Sequence, residues 1–252
     1  MPRGWRHLAL QVALLGSFEL LYALSGLYGR SHAAEGVANA RGVLRAEQTL
    51  GLAWEHGVQD WTLRRPHIVL DVANRLYFST QFAISVAFLL WVYVRRQPHF
   101  ARVRNALLGA NFASLIVLFV YPVAPPRMLP GSGFVDTLDA NAVSLHSHVI
   151  EILNNAYSAM PSLHASYAIV LGVTGVALVA SRPLKLIWAL YPLLVFYSVV
   201  ATANHFVLDL AGGAAALLAA PVVDRVAASG LHRKLRSRGS LGWASPERER
   251  AS

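Results

Sequence analysis

Long apolar blocks that are nearly free of charge constrain this chain more than any other feature of its sequence. Hydrophobic residues make up 55% of the 252 residues, and charged residues only 14%. A helix of about 20 apolar residues is long enough to cross the roughly 30 Å hydrocarbon core of a bilayer. The sequence therefore predicts an all-α fold, a polytopic membrane helical bundle.

Six blocks have this character, and we predict a transmembrane helix in each. They are residues 8–28, 77–94, 106–120, 163–180, 186–203 and 206–223. The first block is longer than the apolar region of a secretory signal, so we expect it to be retained. It carries Glu19, whose side chain is expected to face a neighbouring helix. Residues 1–224 are predicted to form one transmembrane domain, and 225–252 a basic, disordered cytoplasmic tail.

Between the first two blocks the chain is polar enough to leave the bilayer. Apolar side chains nevertheless recur at helical spacing from Glu35 to Trp61. This periodicity predicts an interfacial amphipathic helix that lies on the membrane surface and is anchored by Trp54 and Trp61.

The distribution of positive charge predicts the orientation of the bundle. Most arginines and lysines lie before the first block, between the second and third, between the fourth and fifth, and after the sixth. Because cytoplasmic segments carry the excess of these residues, both termini are expected in the cytoplasm and the protein in the cell membrane. The net charge of +9 comes largely from these flanking segments, so nucleic acid is not an expected partner.

Residues able to carry out chemistry gather at the outer ends of the predicted helices. His205 and Asp209 are four residues apart at the start of the last helix. On one helix face, the carboxylate can hold the proton of one ring nitrogen and leave the other bare. His164 stands at the start of the fourth helix, near Pro161, which suits a first helical turn. Arg127 follows the third helix, and this topology places all four residues at the outer face.

Together these residue types suit phosphoryl transfer. The arginine fork binds phosphate oxygens, and the helix start at Ser162 offers backbone N–H groups and a hydroxyl to the same anion. His205 is then the expected nucleophile, Asp209 its partner, and His164 the acid that protonates the departing oxygen. This scheme requires no metal and no other cofactor.

The same residues resemble the motifs of the type 2 phosphatidic acid phosphatase superfamily. This superfamily includes lipid phosphatases, vanadium haloperoxidases and fungal inositol phosphorylceramide synthase. Its second motif is matched by 161–164, and its third by Ser198-Val199 followed by His205 and Asp209. The resemblance covers 125–209. It implies the same roles for His205, Asp209 and His164, and makes Arg127 the cation of the first motif.

Three departures from the family pattern bear on the substrate. Leu163 replaces a glycine, Val199 replaces an arginine, and no lysine precedes Arg127 at the expected distance. The forms of 125–127 and 159–164 look more like the inositolphosphotransferase branch than like the hydrolytic one. The resemblance thus implies transfer of a phospho-head-group from a phospholipid or polyprenyl phosphate to an alcohol such as inositol. Substitute cations at the same face are Arg64, Arg65 and Arg75.

Other functions remain open at this point. The nearest alternative is a lipid phosphatase that hydrolyses phosphatidic acid or an isoprenyl pyrophosphate. A more distant one is a membrane haem protein with His164 and His205 as axial ligands, which a Soret band would reveal. His146 and His148 lack further ligands at metal-binding spacing, so we expect no metal there. The chain contains no cysteine, which excludes thiolate metal sites and cysteine nucleophiles.

Overall fold

Helices provide the regular secondary structure of this protein. The computed structural model describes residues 3–137, 155–221, 223 and 225, and in those ranges it contains no strand, only an isolated bridge between Val123 and Ser158. The helices are α1 (Gly4–Ser31), α2 (Ala33–Leu50), α3 (Glu55–Leu63), α4 (His67–Ser79), α5 (Ser85–Arg95), α6 (Gln97–Val120), α7 (Leu163–Leu178), α8 (Arg182–Ala201) and α9 (Val207–Ala216). A π-helical turn, Thr80–Ile84, joins α4 to α5 without a break. The predicted all-α fold is confirmed.

Four helices of the described chain are long and apolar enough to cross a membrane. They are α1, the continuous helix His67–Arg95, α6 and α8. The helices Leu163–Leu178 and Val207–Ala219 are also apolar but shorter. At 1.5 Å per residue, the 16 residues of α7 span about 24 Å, less than a hydrocarbon core of roughly 30 Å. The apolar helices thus indicate a membrane protein, while six crossings and their orientation stay predictions.

The polar segment after α1 forms two helices, so the single helix predicted from Glu35 to Trp61 is wrong. Helix α2 ends at Leu50 because Gly51 adopts a left-handed conformation, with φ of +69°, that terminates helices readily. Trp54 and Trp61 are exposed, as expected of membrane anchors. The interfacial location of α2 and α3 stays a prediction. His146, His148 and the tail beyond Arg225 lie outside the described residues.

Two apolar clusters hold the helices together. The larger one lies mainly between α5, α6, α7 and α8, and its fully buried members include Val92, Leu107, Leu171, Val195 and Val199. The smaller one packs α2 against the segment after α6, the segment before α7 and the residue before α9. It includes Val43, Val123, Leu129, Ala159 and Phe206. Helix α2 is therefore tied to the residue that immediately precedes α9.

Helix α9 approaches the start of α7 closely because Gly213 has no side chain at their contact. A Cβ atom at this position would collide with the carbonyl group of Ser162. The hydroxyl of Ser166 donates to the Gly213 carbonyl oxygen at 2.7 Å. The backbone N–H of Ser162 donates to the carbonyl oxygen of Asp209 at 3.0 Å. The first residues of α7 and of α9 thus become neighbours.

Candidate active site

His164 and His205 face each other where α7 and α9 begin. Nδ1 of His164 and Nε2 of His205 are 3.4 Å apart. The two rings are nearly buried, with 8% and 5% of their surfaces exposed. The structure therefore brings together the two histidines that the sequence analysis selected.

Backbone carbonyl groups hold the outer nitrogen of each ring. Nδ1 of His205 is 2.9 Å from the carbonyl oxygen of Ala159, and Nε2 of His164 is 3.1 Å from that of Tyr77. A ring nitrogen that faces a carbonyl oxygen must carry the proton of that hydrogen bond. The facing nitrogens then each hold a lone pair in the neutral rings. A proton placed between these two nitrogens would bridge them, and a bound group can also enter the gap.

Asp209 reaches His205 in a different way from the one expected. His205 is not on the helix with Asp209, because Phe206 is an extended N-cap and α9 begins at Val207. The Asp209 side chain instead folds back over the helix start, where Oδ2 accepts the Phe206 backbone N–H at 2.9 Å. The same oxygen lies 3.4 Å from Nδ1 of His205. Asp209 thus stands beside the ring nitrogen, which is held more closely by the Ala159 carbonyl group.

Arg127 is tied to the turn that carries His205. It lies in a 3₁₀ turn, Pro126–Met128, and its backbone N–H donates to the Ala203 carbonyl oxygen at 3.0 Å. Its Nε donates to Oδ1 of Asn204 at 2.9 Å, and a terminal nitrogen pairs with Asp136 at 2.7 Å. Only 10% of the side chain is exposed. These contacts aim the guanidinium group at the site while offsetting much of its charge.

Ser162, and the three arginines considered as substitute cations, lie apart from the cluster of His164, His205 and Arg127. Ser162 is fully buried, and its hydroxyl accepts the Ala165 backbone N–H at 3.2 Å, so it acts as the N-cap of α7. For that reason α7 begins at Leu163 and not at Pro161. A contact of Ser162 with phosphate stays a prediction. The side chains that were considered as substitute cations are exposed and do not line the cavity beside the histidines: Arg64, Arg65 and Arg75.

Both histidines and Arg127 line a cavity of about 310 Å³. Much of its wall is aromatic and comes from α1, α4 and the π-helical turn, through Tyr22, Tyr77, Phe78 and Phe82. Glu19 also lines it and accepts a hydrogen bond from the Tyr167 hydroxyl at 3.0 Å, so it faces a neighbouring helix as expected. A cavity with a cationic end and apolar walls suits an anionic amphiphile.

Two glutamates behind the His205 turn were missed by the sequence analysis. Glu47 and Glu55 are fully buried on α2 and α3. Glu55 accepts the backbone N–H of Val207 at 2.7 Å, and Glu47 accepts that of Leu208 at 2.6 Å. Acids on an amphipathic helix ordinarily mark its solvated face, so their spacing gives no sign of this contact.

A comparison with protein families accounts for the clustering of these residues. A family model described as PAP2 superfamily matches residues 41–223, well over half of the chain, and the match includes Arg127, His164, His205 and Asp209. No curated protein and no solved structure matches the chain. The resemblance inferred from the motifs is confirmed at this level. The chain belongs to the PAP2 superfamily, whose members are generally phosphatases or phosphotransferases that act on phosphate esters.

Proposed function

We propose that this protein is a membrane phosphotransferase of the inositolphosphotransferase type. It moves a phospho-head-group from a lipid phosphodiester to an alcohol through a phosphohistidine at His205. The observation that carries the proposal is the pair of facing nitrogens of His164 and His205, 3.4 Å apart at the cationic end of an apolar cavity.

The first half of the reaction uses both histidines. Nε2 of His205 attacks phosphorus and forms the P–N bond while the P–O bond to the lipid alcohol breaks. The proton that bridges the two rings goes from Nδ1 of His164 to the departing oxygen, which leaves as a neutral hydroxyl group. The Ala159 carbonyl and the Asp209 carboxylate lie beside Nδ1 of His205 and stabilise the positive charge that develops on its ring.

The second half returns the enzyme to its starting state. The acceptor alcohol gives its proton to Nδ1 of His164, and its oxygen attacks phosphorus as the P–N bond breaks. His205 recovers the lone pair on Nε2, and the head-group phosphate now forms an ester with the acceptor. Water in place of the alcohol would make the same residues a phosphatase, so the competition between water and alcohol decides which activity is seen.

The charge of the site favours a phosphodiester over a phosphomonoester or a pyrophosphate. Among the described residues that line the cavity, Arg127 is the single arginine or lysine, and Asp136 pairs with it. A phosphomonoester carries about −1.5 to −2 charges at neutral pH, whereas a phosphodiester carries one. A singly charged phosphate leaves less charge uncompensated beside one partly neutralised arginine. This argument supports phospho-head-group transfer and makes pyrophosphate hydrolysis the weaker alternative.

The test is a comparison of donors by purified protein in detergent. Phosphatidylinositol and phosphatidic acid, each labelled at phosphorus, are incubated with and without an added alcohol acceptor. With phosphatidylinositol we expect a new labelled phosphate ester of the acceptor alcohol. This product should form only when the acceptor is present. Release of inorganic phosphate from phosphatidic acid, faster than any transfer, would assign the protein to the hydrolytic branch. No reaction of either lipid would contradict the whole proposal.

Metal independence is a further expected property of this chemistry. Because a guanidinium group and two histidines supply the positive charge and the proton, activity should survive EDTA. Orthovanadate should inhibit, since it can adopt the five-coordinate geometry of the phosphorus being transferred at His205. We expect the same inhibition constant with and without EDTA in a turnover assay. Loss of activity on chelation, restored by a divalent cation, would contradict this prediction.

We also propose that the site opens at the outer face of the cell membrane, with both termini in the cytoplasm. The support is the concentration of arginine and lysine in the segments predicted to be cytoplasmic. Because the chain has no cysteine, a single introduced cysteine can report the orientation. Val135→Cys, at an exposed position in the loop after Arg127, should react with a membrane-impermeant maleimide in intact cells. Reaction only after permeabilisation would place the site in the cytoplasm.

A further inference from the structure

Three carboxyl groups converge on the start of α9, and the proposed chemistry uses only one of them. Consecutive backbone N–H groups, from residues 206, 207 and 208, donate to Asp209, Glu55 and Glu47. These N–H groups belong to the first turn of a helix, where no partner within the helix exists. Glu47 and Glu55 do not line the cavity. They therefore act on α9 and not on a bound substrate.

This cluster cannot hold three full negative charges. The start of a helix contributes only about half a positive charge, and one oxygen of each carboxyl group is buried without a hydrogen-bond partner. A second charge close to a buried carboxylate is strongly disfavoured. Burial, reinforced by the neighbouring Glu55, raises the pKa of Glu47 to about 8.

We propose that Glu47 and Glu55 are positioning residues of the active site, which hold the first turn of α9 by accepting its backbone N–H groups. The proposal rests on the function proposed for His205. That residue lies two positions before Val207, on a turn whose following residues are bonded to the glutamates. Val43 of α2 and Phe206 also belong to the same smaller apolar cluster. A loosened helix start would shift Nε2 of His205, and a displacement of about 1 Å at a reacting atom can cost about 10²-fold in rate.

The first test separates positioning from substrate binding. In Glu47→Ala and Glu55→Ala the backbone N–H groups lose their acceptors, and we expect kcat to fall by about 10- to 100-fold while KM stays within about 2-fold. Glu47→Gln and Glu55→Gln should recover most of kcat, because a carboxamide oxygen still accepts the N–H. Glu35→Ala is the matched control, since Glu35 is an exposed acid on the same helix.

The second test detects the proton on Glu47 without any substrate. Between the unfolded pKa of 4.5 and the folded pKa of about 8, the folded protein holds a proton on Glu47 that the unfolded chain has lost. The resulting stabilisation is fully present below pH 4.5 and is lost as the pH rises through 8. The melting temperature should fall by about 3 °C per pH unit in this window. Glu47→Gln should lack this fall; the ionisable groups that face Glu47 are Glu55 and Asp209, and this variant keeps both.

A third readout reports the position of His205 directly. Its ring is nearly buried, so carbethoxylation by diethylpyrocarbonate, measured by peptide mass, should be slow in the wild type and several-fold faster in Glu47→Ala. If the alanine variants do not fold, the pH dependence of melting in Glu47→Gln decides whether the proposal holds.

Wild-type kcat in both alanine variants would overturn the proposal, as would parallel melting profiles of wild type and Glu47→Gln. A rise in KM at constant kcat would make the glutamates substrate contacts and also overturn it. If no protein, wild type included, shows turnover, the proposed function fails. The melting and carbethoxylation measurements then still decide whether Glu47 and Glu55 hold the turn.

Discussion

Replacing His205 by alanine is expected to abolish phosphotransfer, with kcat reduced by at least about 10⁴-fold. The imidazole forms the bond to phosphorus, and the neighbouring His164 serves as the acid in the proposed reaction and so does not replace it. The fold should survive, because His205 lies on the turn before α9 and makes its hydrogen bonds to the Ala159 carbonyl and its close neighbours. The measurements are single-turnover rate and melting temperature in detergent. A folded variant with near wild-type turnover would contradict the proposed nucleophile.

Asp209→Asn provides a graded comparison with the loss of His205. The carboxamide oxygen can still accept the Phe206 N–H, but it cannot stabilise a positively charged imidazole. Because the Ala159 carbonyl group holds Nδ1 at 2.9 Å, the ring keeps its tautomer. We therefore expect kcat to fall by about 10- to 100-fold. This is smaller than the fall of about 10⁴-fold that follows when the histidine adopts the wrong tautomer. Wild-type activity would leave Asp209 with a purely structural role.

Replacing Arg127 should have the second-largest effect. Arg127→Lys keeps one positive charge but loses the fork that bonds Asn204 and Asp136 while facing the cavity. We expect kcat/KM to fall by about 10²-fold, as for the loss of one transition-state donor, and further in Arg127→Ala. Val199 stands where the family has an arginine, so this cation should matter more here than in relatives that have both.

Arg75→Lys is the control for Arg127→Lys, because Arg75 is exposed and does not line the cavity. It should leave kcat/KM unchanged. If both Arg127 variants keep wild-type kcat/KM, Arg127 only anchors the loop.

The sequence predicted that His164 and His205 would lie together, but not the groups that hold them in place. The motif residues His164 and His205 meet, because both precede or begin helices whose starts are adjacent. The groups that hold their outer nitrogens are backbone carbonyls of Tyr77 and Ala159. Every residue has a carbonyl group, so no sequence pattern identifies the two that serve here.

Helix boundaries explain most of the other differences. A spacing of four residues suits one helix face, but Phe206 caps α9 and leaves His205 outside it. Gly51 likewise divides a segment whose periodicity is continuous. The contacts of Glu47 and Glu55 with α9 join residues more than 150 positions apart. Such contacts depend on tertiary packing and leave no local periodic signal.

The most direct test of the account is chemical identification of the covalent intermediate. Wild-type protein is mixed with phosphatidylinositol labelled at phosphorus, without acceptor, and quenched within one turnover. It is then analysed by peptide mass under alkaline conditions that preserve the P–N bond between the phospho-head-group and histidine. The account predicts label on the peptide that contains His205, absent in His205→Ala and discharged when the acceptor alcohol is added. Turnover with no labelled protein, or label on any other residue, would contradict the account.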